Sequence, residues 1–100
     1  MKIRMSDGSE GEFSKRELIE IIATANAATY AVCDNSNKVM SDAEIAVVVA
    51  RVIARLRKRE ELCTKDEILD MVEFDLMRYG LYEVAKELIT ERLEAKYGIE

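Results

Sequence analysis

The first seventeen residues, MKIRMSDGSEGEFSKRE (1–17), carry two structural signals back to back. The first is Asp7-Gly8 between two short alternating runs, which signals a β-hairpin. Its register follows from the side chains. A two-residue loop, Asp7-Gly8, sets Ile3 opposite Glu12 and Met5 opposite Glu10, mixing apolar and acidic groups on one face. A three-residue loop, Ser6-Asp7-Gly8, puts Gly8 in the left-handed conformation it tolerates best. It aligns Lys2 with Glu12 and Arg4 with Glu10, and gathers Met1, Ile3, Met5 and Phe13 on the other face. A one-residue slip flips every side chain, so the three-residue loop is predicted. An isolated hairpin is marginal in water, so its apolar face is expected to lie on helices.

The second signal is SKRE (14–17), a Ser-x-x-Glu capping box; SDAE (41–44) and TKDE (64–67) repeat it. In each, the hydroxyl accepts from the N3 amide and the Glu reaches back to the cap amide. Each is worth about 1 kcal/mol and opens a helix. The first helix is expected over about 14–31, with Leu18, Ile21, Ile22 and Ala25 inward. DNSNK (34–38) reads as a polar loop. A second helix over about 41–60 carries Ile45, Val48, Val49, Val52, Ile53 and Leu56. Ala46, Val47, Ala50 and Ala54 widen that stripe, so this helix is expected to be the most buried. A third, about 64–79, turns Ile68, Met71, Val72, Leu76 and Tyr79 inward and stops at Gly80. A fourth, about 82–97, buries Val84, Ala85, Leu88 and Ile89 and ends at Gly98. The predicted fold is mainly α with a small β part: a hairpin over 1–13 as a lid on a four-helix bundle, in a single domain over 1–100.

Composition bounds the function. One hundred residues suffice for one domain, and 49% hydrophobic with 35% charged residues is a globular balance. A net charge of −5 argues against nucleic acid, whose phosphates demand a basic surplus. No apolar run reaches membrane-spanning length, and the N-terminus lacks the apolar core of a signal peptide. Cys33 and Cys63 have no metal spacing and read as buried free thiols of a cytoplasmic protein. Histidine is absent, which removes the commonest general base, metal ligand and nucleophile partner. Glycines stand only at 8, 11, 80 and 98, so neither usual phosphate loop is possible.

Other clusters have plain explanations. Asp66, Asp70 and Glu73 share a helix face, and a solvated face is favoured over a carboxylate cluster for metal. Arg51, Arg55 and Lys58 form a basic stripe, read either as an anion site or, preferentially, as a solvated face complementing the helix dipole. Met71 and Met77 read as core filler. Tyr30, Tyr79, Tyr82 and Tyr97 read as half-buried rings with wet hydroxyls.

The last third reads Thr64-x-x-x-Ile68, Val72-Glu73-x-x-Leu76, Gly80, Val84-Ala85-Lys86, Ile89 and Arg92. That order resembles the ATP-cone domain, a regulatory module of ribonucleotide reductases. The family's Val-x-Lys-Arg-Asp-Gly hairpin, Phe and polar cap correspond to Ile3-Arg4-Met5-Ser6-Asp7-Gly8 and Phe13-Ser14. The resemblance covers about 2–23 and 64–93. It implies ATP or dATP held between the lid and the helices without hydrolysis, as a switch for oligomer assembly. It implies no catalytic residue, no metal and no required cofactor.

The departures bear on the ligand. Met5-Ser6 replaces the Lys-Arg pair, and Glu17 replaces a lysine. Leu69 and Leu93 replace polar and basic positions. Asp7, Gly8 and Ser14 keep their places, and Lys15 and Arg16 are the cations that remain at a helix N-terminus. Those five are the expected nucleotide-binding residues. Glu17 has two readings: it completes a capping box, the favoured one, or it removes positive charge from a triphosphate site. Two functions follow. The first is a regulatory domain sensing ATP or dATP in association with ribonucleotide reductase. The alternative is a degenerate cone that has lost nucleotide and acts in protein interaction or oligomerisation. An enzyme in its own right is the weakest reading.

Overall fold

A computed structural model describes residues 1–32 and 39–98. Cys33, the 34–38 loop and the last two residues lie outside the described residues. The element order is β1 (Lys2–Arg4), β2 (Glu10–Glu12), α1 (Lys15–Val32), α2 (Asp42–Arg57), α3 (Lys65–Arg78) and α4 (Tyr82–Tyr97). This is the mainly α fold with a small N-terminal hairpin that the sequence predicts. The helices close in a ring, α1 against α2 and α4, and α3 against α2 and α4.

The hairpin pairs Lys2 with Glu12, Ile3 with Gly11 and Arg4 with Glu10. The Met5 amide donates to the Ser9 carbonyl at 2.7 Å, and the Gly8 amide to the Met5 carbonyl at 2.9 Å. Gly8 has φ +85°, so the loop is Ser6-Asp7-Gly8. Ile3 and Phe13 are buried in the helical core. Burying Phe13 contributes roughly 2–3 kcal/mol. Met5, placed on the same underside by the sequence, is instead 44% exposed. It stands past the end of β1, and its sulfur folds across Gly11, where a Cβ would collide with it. β1 extends by a single rung, as the Arg4 amide donates to the Cys63 carbonyl at 2.9 Å. Cys63 is a buried free thiol.

Two of the three capping boxes close in both directions. Ser41 accepts from the Glu44 amide and Thr64 from the Glu67 amide, and each Glu carboxylate returns to its cap amide. At α1 the Glu17 amide donates to Ser14 Oγ at 2.9 Å, but the Glu17 carboxylate meets Lys65 instead. The favoured reading of Glu17 as a completed box therefore gives way to a contact with α3.

The core stripe is Leu18, Ile22, Ala25 and Thr29 on α1; Ile45, Val48, Val49 and Val52 on α2; and Val84, Ala85 and Leu88 on α4. α3 buries Ile68, Leu69, Val72, Asp75 and Leu76, which makes it, not α2, the most deeply set. Ala46, Val47, Ala50 and Ala54 are exposed, because α2 meets its neighbours along one edge only. The tyrosines are more exposed than half-buried, from 49% at Tyr79 to 66% at Tyr30, and Met77 is exposed as well. The entry to α2 is clamped: Asn26 donates to the Met40 carbonyl at 2.9 Å and accepts from the Met40 amide at 2.7 Å. Gly80, at φ +77°, turns the chain from α3 into α4.

Candidate functional site

A groove of about 790 Å³ runs over the C-terminal half of α4, between the N-terminal halves of α1 and α3. That volume is in the range of small-molecule sites. The capping signals place its walls, because Ser14 and Thr64 start α1 and α3 side by side at the hairpin end. Ile21, Leu69, Leu88, Ile89 and Leu93 supply its apolar surface. Five carboxylates line it, from Glu17, Glu20, Asp66, Glu73 and Glu91, against three cations, Lys65, Arg92 and Lys96.

Two of those cations are already engaged. Lys65 Nζ donates to Glu17 Oε1 at 3.4 Å and sits 5.2 Å from the centroid of Phe13, so the hairpin's last core residue borders the groove. Arg92 is gripped by one face of α3. Its Nη1 donates to Asp70 at 2.9 Å and to Glu73, and its Nη2 to the Asp66 carbonyl at 3.3 Å. The Asp66 carboxylate lies at 3.5 Å. Burial works against the Arg92 charge, but the hydrogen bonds it donates to Glu73 and Asp70 outweigh that and raise its pKa. The face Asp66–Asp70–Glu73 is thus an arginine cradle rather than a merely solvated surface. Lys96 Nζ lies 5.6 Å from the Tyr97 ring. Glu91 is left among like charges: burial first, then Glu87 and Glu94, raise its pKa.

The five residues expected to hold nucleotide are not brought together on this groove. Asp7 sits in the exposed hairpin turn, where the Ser9 hydroxyl and amide bond its carboxylate and lower its pKa. Gly8 closes that turn. Ser14 Oγ is used by the α1 cap. Lys15 is exposed on the first turn of α1. Arg16 is exposed too and pairs with Glu20 at 3.2 Å. Arg4 reaches the other way, to Glu67 at 3.2 Å. Bonds from Thr64, then the charges of Arg4 and Arg59, lower the Glu67 pKa.

Lys65 and Glu20 line the groove and were not singled out from the sequence. Lys65 lies in the variable part of a capping box, where side-chain type carries no structural signal. Asp75 was missed as well. It is fully buried, bonded by Arg55 at 2.9 Å, with Arg51 at 3.7 Å. Its Oδ2 has no hydrogen-bond partner among the described residues. Arg51 also stacks over Tyr79, 4.1 Å from the ring centroid. The basic stripe of α2 is therefore partly a buried-charge partner. Among the described residues no group of three His, Cys, Asp or Glu side chains is placed to hold a metal ion. No described helix is long and apolar enough to cross a membrane.

A family model described as the ATP cone domain matches residues 1–96. No curated protein matches the chain.

Proposed function

The chain belongs to the ATP-cone family, and from that premise we propose that it is a regulatory rather than catalytic module of ribonucleotide reduction, working through the α1–α3–α4 groove. Family membership supports ATP or dATP as an effector, bound without hydrolysis. The groove's charges favour a second reading. In it, the module has given up nucleotide and persists in protein interaction or oligomerisation, with a reductase or with copies of itself.

One observation carries that second reading: Lys65 is held by Glu17, and Arg92 by Asp70, Glu73 and Asp66. A triphosphate entering here meets carboxylates in excess. A like charge about 4 Å away costs of order 4 kcal/mol at an effective dielectric near 20. That corresponds to roughly a thousandfold in affinity. Thermal unfolding with millimolar ATP and dATP decides. Nucleotide sensing requires a shift, about 2.7 kcal/mol of added stability at a hundred times the dissociation constant. The interaction reading expects none, and a clear rise with either nucleotide overturns it.

A further inference from the structure

We propose that the α1–α3–α4 groove receives a basic helical segment of a partner protein, one that presents lysine or arginine beside a large apolar side chain. This rests on the reading that the groove has given up nucleotide, and it names the class of occupant.

The surface of the groove fixes both halves of that description. Its floor is apolar: Leu69 and Leu88 are buried, and Ile21 and Ile89 are partly so. Leu93 stands 49% exposed on the same lining. An apolar trough open along a helix is what an amphipathic helix fills with its apolar face. The charged groups around that trough fix the sign of the guest. Carboxylates outnumber cations five to three on the lining, and the Arg92 cradle adds Asp70 behind it. Glu20 of α1, which pairs with Arg16 outside the lining, and Glu91 of α4 both lie on this lining. Glu91 is further crowded by Glu87 and Glu94, whose charges add to burial in raising its pKa. A cation placed beside Glu91 relieves that crowding, whereas an anion adds to it. Opposite potentials also steer encounter, so association should weaken as salt is added.

The test uses the whole chain and two synthetic sixteen-residue helical peptides. Both are built from leucine and alanine on one face; one has lysines on the other face, the second glutamates. Fluorescence anisotropy measures binding, and amide chemical shifts locate it. The lysine peptide is expected to bind, to weaken steeply with salt, and to shift amides of α1, α3 and α4 around the groove. The double variant Glu20→Lys, Glu91→Lys is expected to lose at least about tenfold for the lysine peptide and to gain binding of the glutamate peptide. That exchange of preference cannot come from loss of fold, which circular dichroism checks directly. The proposal is overturned if the lysine peptide fails to bind, binds both proteins alike, or shifts amides elsewhere. Sedimentation showing that a second copy of the chain fills the groove overturns it too. ATP separates the failures: stabilisation by ATP removes the underlying reading, while silence from both ATP and peptide leaves that reading standing and removes this inference alone.

Discussion

Replacing Glu17 by glutamine, and separately by lysine, measures what the groove's charge does to a triphosphate. In the wild type the Glu17 carboxylate lies 3.4 Å from Lys65 Nζ, and both side chains are 48% exposed. An anion taken up on the far side of that ammonium lies roughly 7 Å from the carboxylate, and their repulsion is about 2.4 kcal/mol at a dielectric near 20 and about 0.6 kcal/mol in bulk water. A half-exposed pair falls between those limits. Glu17→Gln should therefore raise ATP affinity by roughly 3-fold to 60-fold. Glu17→Lys adds a second increment of similar size. Stability should hardly move with glutamine, because an exposed ion pair is worth about 0–1 kcal/mol. The Ser14 cap bond survives as well, since it uses the residue 17 amide. Lysine in the first turn costs a further few tenths of a kcal/mol against the helix dipole. Titration calorimetry with ATP and dATP at fixed ionic strength reads the result. Tight wild-type binding that is lost in Glu17→Gln refutes the reasoning, since it makes the carboxylate a ligand-holding group.

Four further outcomes are expected. Asp75→Ala removes the acceptor of Arg55 and the charge facing Arg51, and should destabilise by about 3 kcal/mol, read as a fall of about 15 °C in Tm; a change under about 1 kcal/mol means the two arginines are satisfied by water. Asn26→Ala removes both bonds to the Met40 backbone and should cost about 2 kcal/mol in urea unfolding. Glu91→Gln should raise Tm at neutral pH: the folded pKa of Glu91 is raised, so its ionised form opposes folding above that value. The advantage should vanish as pH falls toward the unfolded carboxyl value. Glu67→Gln has the opposite sign: the Glu67 pKa is lowered in the fold, so its contribution is present above the unfolded value and lost in acid. A common sign for the two in a pH series of melts contradicts the assignment.

Backbone geometry was legible where a residue type has one local use. Gly8 after Asp7 fixed the loop, and alternation on both sides of it fixed the register. Ser41 and Thr64 fixed helix starts to the residue. Contacts that join distant elements were not legible. Met5 looked like underside because it continues the alternation, but β1 stops one residue earlier and Gly11 leaves room for its sulfur. Nothing in the sequence sets Asp75 apart from the other acids of a highly charged chain. Its burial depends on Arg51 and Arg55 arriving from α2, twenty or more residues away in sequence. Spacing did put Asp66, Asp70 and Glu73 on one face, yet nothing local in α3 foretells that Arg92 from α4 fills the space between them.

The residue on which site and fold meet is Glu17, and the other two boxes supply its control. Glu44 Oε1 closes on the Ser41 amide at 3.0 Å, and Glu67 Oε1 on the Thr64 amide at 3.2 Å. If capping alone dictated the glutamate, the third box would close the same way, since the Ser14 hydroxyl already holds the residue 17 amide as its counterparts do. It does not. The carboxylate leaves its own helix end and crosses to Lys65 on α3, beside the Phe13 ring. The capping contribution of the side chain is thereby given up, and a groove cation is neutralised instead. Helix grammar explains why a serine opens α1. It does not explain the sign of the charge three residues later, and that sign decides whether an anion or a cation is the natural guest of the groove.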